Sequence, residues 1–317
     1  MNHLIIINAR VLTPLGTSAI AGKHMDYLLD IPYGTIEITE GIITYVGKNR
    51  PVIPEGYKIL DAEGRVVLPG FIDSHTHLVF GGYRPEEFIW RMKGDSYMSI
   101  MERGGGIINT VRSTREASFE TLKEKAEWYI EVMSRMGVTT VEGKSGYGLD
   151  KETELKQLEV MKAINENPSR KVDIATTFLG AHAVPKEYKG KEDDYIDFLI
   201  KEMLPLIQEK KLAEHCDIFC EKGVFTVEQS RRLLQAAKDK GFGVKIHADE
   251  IVSFGGAELA GELQALSADH LLHASDAGIQ AMADNHVVAT LLPLTAFTLR
   301  EPYARWASIR GKRSSVR

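Results

Sequence analysis

The chain has 317 residues, of which 44% are hydrophobic and 26% charged, which is ordinary for a globular protein with a full-sized core. Its net charge of −5 argues against nucleic-acid binding, which requires a basic surface. No apolar run is long enough to span a membrane, and the start MNHLIIINAR lacks the basic region of a signal peptide. Cys216 and Cys220 lie too far apart along a strand to form a disulfide, so we expect a cytoplasmic protein.

Residues 1–66 predict a small N-terminal β domain with a β-sandwich-like arrangement. Short alternating or β-branched runs follow one another there, and glycines and a proline separate them, as is typical of hairpins. The runs are HLIIINARVLT, YGTIEITEGIITYVG and YKILDAEGRVVLPG.

Residues 67–305 predict a catalytic domain in which strands and helices alternate. Such βαβ units indicate a parallel sheet with right-handed crossovers. The polar candidates fall at the carboxyl ends of the strands, which favours a TIM-like (β/α)8 barrel, here with about seven strands, over an open doubly wound α/β sheet. The expected strands are 66–77, 138–149, 171–185, 216–225, 242–251, 268–275 and 286–297.

The segment FIDSHTHLVFGG places His75 and His77 one residue apart at the end of the first barrel strand. Alternate side chains of a strand share a face, so both imidazoles project together. The pair alone is equally consistent with a polar strand end. His247, in VKIHADE, ends the fifth strand, which faces the first across a barrel mouth. Together the three imidazoles predict a site for one divalent ion, zinc or iron, with an open position for water.

Several motifs in the chain resemble a known family. LPGFIDSHTHLVFGGYRPEEF is similar to the first strand of the amidohydrolase superfamily and, more narrowly, of the imidazolonepropionase family. The resemblance continues through RGGGIINTVRSTREAS, TTVEGKSGYGL, FLGAHAVP, KIHADEI and SADHLLHAS, and it covers nearly all of residues 1–305. It implies hydrolysis of 4-imidazolone-5-propanoate to N-formimidoyl-L-glutamate. The implied partner is that small molecule, with no nucleic acid or membrane, and a homodimer is left open.

The resemblance also implies which residues hold the metal and the substrate. It assigns the metal to His75, His77 and His247. Arg84 would pair with the propionate carboxylate of the substrate, since a guanidinium matches a carboxylate in shape. Tyr147 would form a hydrogen bond with the substrate, and His182 would contact the imidazolone ring or its carbonyl.

Two further residues carry the expected proton chemistry. Glu250 would take a proton from water and pass it to the ring nitrogen that leaves. His270 would polarise the attacked carbonyl or help to hold the water. Asp269 is expected to alternate to the other face of its strand, and Asp73 to support the site from deeper in the barrel. Glu221 stands where some superfamily members have a carboxylated lysine, so we expect one metal ion rather than two.

The sequence departs from the superfamily pattern after REPYAR. Members carry an aspartate on an eighth strand, whereas residues 306–317 read as an atypical basic tail. This leaves open the alternative of a catalytically impaired remnant without that aspartate. A second alternative, which does not depend on the tail, is a related amidohydrolase or deaminase that acts on another heterocycle. With about seven strands we also expect exposed edges on the first and seventh.

Overall fold

A computed structural model describes residues 3–16, 20–48, 53, 55–95, 99–100, 103 and 105–311. The chain divides into two compact units, Met1–Gly70 and Phe71–Arg317. The division follows the change in sequence pattern, from short β runs to alternating strands and helices. The predicted combination of an N-terminal β unit and a parallel barrel is confirmed.

The N-terminal unit is built around one long strand. This strand, β1 (His3–Pro14), runs antiparallel to β2 (Leu28–Thr39), which pairs antiparallel with β3 (Ile42–Lys48). On its other side β1 lies parallel to β4 (Lys58–Asp61) and to the short β5 (Val66–Val67). The described part of this unit thus forms a single mixed sheet.

A two-residue turn joins β2 to β3 and shows why the sequence folds into a hairpin there. Glu40 and Gly41 both have positive φ, 52° and 80°. Two consecutive positive φ angles define the type I′ turn, whose twist matches that of paired antiparallel strands. Ala9, Val11, Ile36 and Ala62 form the small apolar core of the unit.

The second unit contains a nearly closed parallel barrel, in which each described strand pairs with the next one along the chain. Consecutive pairing of parallel strands requires a crossover on the same side each time, which the intervening helices supply. The seven described strands are β6 (Phe71–Thr76), β7 (Val138–Lys144), β8 (Asp173–Ala181), β9 (His215–Cys220), β10 (Gly243–Ala248), β11 (Ser267–His270) and β12 (Val288–Thr290).

Helices follow the barrel strands, and several begin at side-chain caps that the sequence shows. Ser118, Asp150 and Thr226 each accept a hydrogen bond from a backbone N–H in the first turn of their helix. The α-helices of the described residues are α1 (Pro85–Met92), α2 (Ile107–Glu116), α3 (Phe119–Arg135), α4 (Lys151–Glu166), α5 (Glu192–Phe198), α6 (Leu204–Lys210), α7 (Val227–Asp239), α8 (Gly256–Glu262), α9 (Asp276–Asp284), α10 (Pro293–Leu299) and α11 (Trp306–Gly311).

Several expected strands are shorter in the structure, and the first, 66–77, is divided, because Val66–Val67 pair with β1 and the barrel strand begins at Phe71. At two further elements a proline accounts for the difference. The expected seventh strand over 286–297 was too long, because Pro293 begins α10 and the strand covers only Val288–Thr290. The continuous helix that the pattern predicts over 195–212 contains a π-helical turn, Leu199–Met203. Pro205 lies just beyond that turn and has no N–H to donate, which interrupts regular α-helical bonding.

The barrel strands alternate between apolar side chains that pack under the helices and polar side chains that point inwards. Val141, Phe178 and Ile218 belong to one apolar cluster with helix residues such as Leu158 and Leu233. The neighbouring strand positions carry charged or hydroxyl side chains that are also buried. The barrel interior is therefore polar, which sets up the site at its carboxyl end.

The segment predicted as a basic tail begins with the short helix α11. Ile309 is buried in it, and Arg305 just before it contacts Asp276. Residues 312–317 lie outside the described residues. None of the helices that the structure describes is both long enough and apolar enough to cross a lipid bilayer.

Candidate active site

Three histidines in or just after two barrel strands come together at the carboxyl end of the barrel. The ring centroids of His75 and His77 are 5.4 Å apart, and those of His75 and His247 are 4.7 Å apart. Each of the three residues offers one ring nitrogen, and these atoms all lie within 4.8 Å of one another. The structure thus brings together the three residues that the sequence predicts as metal ligands.

The donor atoms of this cluster suit a divalent metal ion. Among the described residues, Nδ1 of His77 and Nε2 of His247 are buried without a hydrogen-bond partner, which leaves them available as ligands. Burial, with a smaller contribution from Lys144, lowers the pKa of His75 to about 4, and burial lowers that of His77 well below its usual value. Neutral imidazole is the form that binds zinc or iron, so the residues fit such an ion.

Glu250 and His270 lie beside the cluster. Oε1 of Glu250 is 3.4 Å from Nδ1 of His270, and the His270 ring is 5.1 Å from that of His75. Burial raises the pKa of Glu250 to about 7, although His247 opposes the shift. A carboxylate that titrates near neutrality can both accept and release a proton during a reaction, which is the property of a general acid–base.

The backbone turns into the left-handed region at the end of β11, and the side chains of both Asp269 and His270 point into the barrel. His270 and Leu271 have φ of 74° and 59°, values that non-glycine residues rarely adopt. The alternation predicted for this strand therefore fails, and the expectation that Asp269 faces away from the site was wrong. Oδ2 of Asp269 accepts a hydrogen bond from Nδ1 of His75 at 2.7 Å.

Aromatic side chains form one wall of the site. The His182 ring stacks on His77 with a centroid distance of 4.6 Å, and its Nδ1 lies 3.0 Å from the carbonyl oxygen of Gly146. Burial lowers the pKa of His182 to about 3, so this ring is neutral. Tyr147 packs against both histidines, at 5.3 Å from His77 and 5.2 Å from His182. A flat heterocycle could lie against this wall.

Arg84 supplies a positive charge at the rim of the site. Its Nη1 donates to Oε2 of Glu87 at 3.1 Å, and Oε1 of the same buried carboxylate accepts from the Gly106 N–H at 2.6 Å. Gly106 has a φ of 72°, which glycine adopts without strain. A Cβ on Gly105 would lie 2.9 Å from Oε1 of Glu87, so the absence of a side chain there lets the segment approach Glu87 closely. Glu87 therefore ties Arg84 to the start of α2.

A cavity of about 730 Å³ connects the histidine cluster, the aromatic wall, Glu250 and Arg84. It is large enough for a small heterocycle with a short side chain. Its lining includes the eight residues that the sequence predicts as site residues, which are His75, His77, Arg84, Tyr147, His182, His247, Glu250 and His270.

A network of buried charges below the histidines was not predicted from the sequence. Nζ of Lys144 lies 2.7 Å from Asp217, 3.0 Å from Glu142 and 3.3 Å from Asp269. Nζ of Lys245 lies 2.6 Å from Glu142. The alternation of side chains along a strand could have indicated it, because Lys245 precedes His247 by two residues and therefore lies on the same face of β10.

The carboxylates of this network are ionised because the ammonium groups are close. Burial alone would raise the pKa of Asp217, but His247 and Lys144 outweigh it and hold that pKa well below its usual value. The pKa of Asp269 is lowered in the same way by Lys144 and Lys245. Lys144 keeps a raised pKa despite its burial because Asp217, Glu142 and Asp269 surround it.

Two other acidic residues have supporting contacts. Glu221 accepts hydrogen bonds from the backbone N–H groups of Lys222 and Ile251, so it holds the loop that carries Glu250. Asp73 accepts from the backbone N–H of His75 at 3.3 Å. His75, Glu142 and Asp269 also lie close enough to be considered as metal ligands. Lys144 and Lys245 already neutralise that group, so we assign no second ion to it.

Comparisons with known proteins agree with this architecture. Residues 58–106 match the model of the amidohydrolase family. The structure is similar to that of a guanine deaminase from C. acetobutylicum, with a TM-score of 0.68 over 99% of this chain and 73% of that one, at 14% identity. Such a likeness concerns the fold. Fold and family match together indicate a protein of the amidohydrolase class.

Two curated relatives narrow the class to one family. The chain is 75% identical over 305 residues to the imidazolonepropionase of Phocaeicola vulgatus. The matched region covers 96% of this chain and 74% of that protein. It is 66% identical over 307 residues to the imidazolonepropionase of Bacteroides thetaiotaomicron, with the same coverage. The chain belongs to the imidazolonepropionase family.

Proposed function

We propose that this chain hydrolyses the cyclic amide 4-imidazolone-5-propanoate, with one molecule of water, to N-formimidoyl-L-glutamate. The observation that carries the proposal is the cavity that joins three imidazoles, a buried glutamate and an arginine in one space. Membership of the imidazolonepropionase family supports the choice of substrate over other heterocycles.

In the proposed site His75, His77 and His247 hold one divalent ion, zinc or iron. When bound, such an ion acts as a Lewis acid that lowers the pKa of water towards 7. Because the His75 and His77 rings are neutral, they can bind the ion at neutral pH without first losing a proton. The buried aromatic wall excludes bulk water from one side of the substrate.

Glu250 and His270 carry the proposed proton transfers. Glu250, as its carboxylate, accepts a proton from the attacking water and then donates it to the ring nitrogen that leaves as the C–N bond breaks. His270 is neutral because burial lowers its pKa well below the usual value. A neutral imidazole beside Glu250 can donate a hydrogen bond to the carbonyl oxygen, on which negative charge develops.

Arg84, Tyr147 and His182 position the substrate in this proposal. The planar guanidinium of Arg84 can hold the propionate carboxylate through two parallel hydrogen bonds. The imidazolone ring would then lie along Tyr147 and His182, with its carbonyl towards the histidine cluster.

Turnover of two substrates tests the proposal. We expect the protein loaded with Zn²⁺ or Fe²⁺ to consume imidazolone propionate, with N-formimidoyl-L-glutamate as the product detected by mass spectrometry. Guanine serves as the comparison, because a deaminase of the same fold would act on it. Activity on guanine alone would overturn the proposal, and so would bound metal without turnover of either compound.

Replacing Arg84 with alanine should weaken substrate binding and leave metal content unchanged. Loss of a charge-assisted carboxylate pair costs about 2–5 kcal/mol when the pair is desolvated, and we expect the lower end because the Arg84 side chain is 31% exposed. A loss of about 2 kcal/mol corresponds to a rise in KM of roughly 30-fold. Arg112→Ala, on an exposed turn of α2, is the control. An unchanged KM in Arg84→Ala would refute the role.

We also propose a cytoplasmic location, because both cysteines are buried free thiols, as a reducing compartment allows. A homodimer is a further proposal, and sedimentation at several protein concentrations would test it.

A further inference from the structure

We propose that Asp217 and Asp269 are positioning residues that orient His247 and His75 for metal binding. Oδ2 of Asp269 accepts from Nδ1 of His75 at 2.7 Å. Oδ2 of Asp217 lies 2.9 Å from Nδ1 of His247, a close contact whose angle departs from that of a hydrogen bond. The inference rests on the proposed metal site, and it concerns the residues behind the ligands rather than the ligands themselves.

The two contacts have the same chemical consequence for each ring. A carboxylate beside Nδ1 keeps the proton on that nitrogen and leaves the lone pair on Nε2. It also makes Nε2 more basic and limits rotation of the ring. The two rings come from opposite sides of the barrel mouth, on β6 and β10, and each has its own aspartate, on β11 and β9.

Lys144 joins the two aspartates into one unit. It is fully buried, and its Nζ lies 2.7 Å from Asp217 and 3.3 Å from Asp269. Glu142 accepts hydrogen bonds from Lys144, from Lys245 and from the hydroxyl of Thr177, and so completes the group. Three carboxylates and two ammonium groups leave a net charge of −1 directly behind the histidines.

A buried charge network is an unexpected filling for a barrel interior. Such interiors are usually packed with layers of branched apolar side chains. Buried ion pairs rarely stabilise a protein more than an apolar replacement would, because desolvation of the charges is costly. The cost is understandable if the network has a task, and its two contacts with predicted ligands indicate that the task is to orient them.

Metal affinity distinguishes an orienting role from a purely structural one. We expect Asp217→Asn and Asp269→Asn each to bind Zn²⁺ about 10- to 100-fold more weakly than the wild type, the range typical of groups behind metal ligands. The affinity is measured by competition with a chelator on folded, metal-free protein, with circular dichroism as the check of folding. Glu142→Gln is the matched control, because Glu142 belongs to the same network but forms no hydrogen bond with His75 or His247. We expect its Zn²⁺ affinity to stay within about threefold of the wild type.

A double variant covers the case in which Asp217→Asn fails to fold. Asp217→Asn combined with Lys144→Met removes one charge of each sign, so the net charge of the network is unchanged. Because the Lys144 ammonium is removed together with its Asp217 partner, it is not left buried without that carboxylate. We expect it to fold and still to bind Zn²⁺ at least 10-fold more weakly. Wild-type affinity in the folded Asp269→Asn protein and in either Asp217 variant would overturn the inference. Failure of the wild type itself to bind Zn²⁺ would instead refute the proposed metal site.

Discussion

Replacing His77 with alanine should abolish tight metal binding and reduce hydrolysis to background. His77 is one of three imidazoles whose ring nitrogens lie within 4.8 Å of one another, and its Nδ1 is a buried nitrogen without a hydrogen-bond partner among the described residues. With two imidazoles left, the site loses the three-histidine face on which a catalytic ion depends. The effect should exceed that of replacing Arg84 or Glu250, since without the ion the pKa of water stays near 15.7 rather than roughly 7.

Metal analysis and an activity assay check this expectation together. His215→Ala is the matched control, because His215 is also a partly buried histidine on a barrel strand but lies at the start of β9. The control should keep one ion per chain and most of its activity. If His77→Ala retained one tightly bound ion per chain, His77 would not be a ligand.

Replacing Glu250 with glutamine should lower kcat by about 10²–10⁴-fold, which is the usual contribution of a positioned acid–base group. The amide fills nearly the same volume and neither accepts the proton from water nor passes it to the leaving nitrogen. Metal content should stay at the wild-type value, which separates this variant from His77→Ala. A loss of less than about fivefold would remove Glu250 from the proposed mechanism.

The pH dependence of the wild type provides a second measure of the same group. Burial raises the pKa of Glu250 to about 7, and the reactive form is the carboxylate. As the pH falls through this pKa the carboxylate is protonated, so kcat/KM should fall about tenfold per pH unit on the acid side. A bound divalent cation favours the charged form and moves the midpoint below 7.

Glu301→Gln is the control for that profile. Glu301 lines the same cavity, and its charge helps to raise the pKa of Glu250. Its removal should leave the maximum rate within a few-fold of the wild type and move the acid limb slightly to lower pH. An acid limb that is unchanged in Glu250→Gln would show that another group titrates there.

Eight of the residues that line the cavity were predicted, seven of them from their place at the ends of strands and Arg84 from the family resemblance. The one-residue spacing of His75 and His77 places both rings on one face of a strand, and the alternation of strands with helices predicts the parallel barrel. The carboxyl end of such a barrel then collects the side chains that follow each strand. The individual roles of these residues stay predictions, which the variants above are designed to test.

The contacts inside the barrel could not be predicted in the same way. Strand parity indicates that Lys144 and Asp217 face inwards, but these residues are 73 positions apart and their contact depends on how neighbouring strands are staggered. Likewise His75 and Asp269 are 194 positions apart and meet because the barrel curves almost closed. The positive φ of His270 depends on the same environment, since no local pattern in SADHLLHAS requires it.

The sequence by itself determined the order of the elements, the parallel barrel and the identity of the predicted metal ligands, because periodicity and spacing act over a few residues. Only the tertiary structure decided which carboxylate stands behind which imidazole, how Glu87 connects Arg84 to the glycine-rich segment, and how deeply Glu250 is buried. Those features depend on burial and on distances between strands. Both are properties of the closed packing, in which the low dielectric of the interior makes a contact of 3 Å between charges far stronger than it is in water.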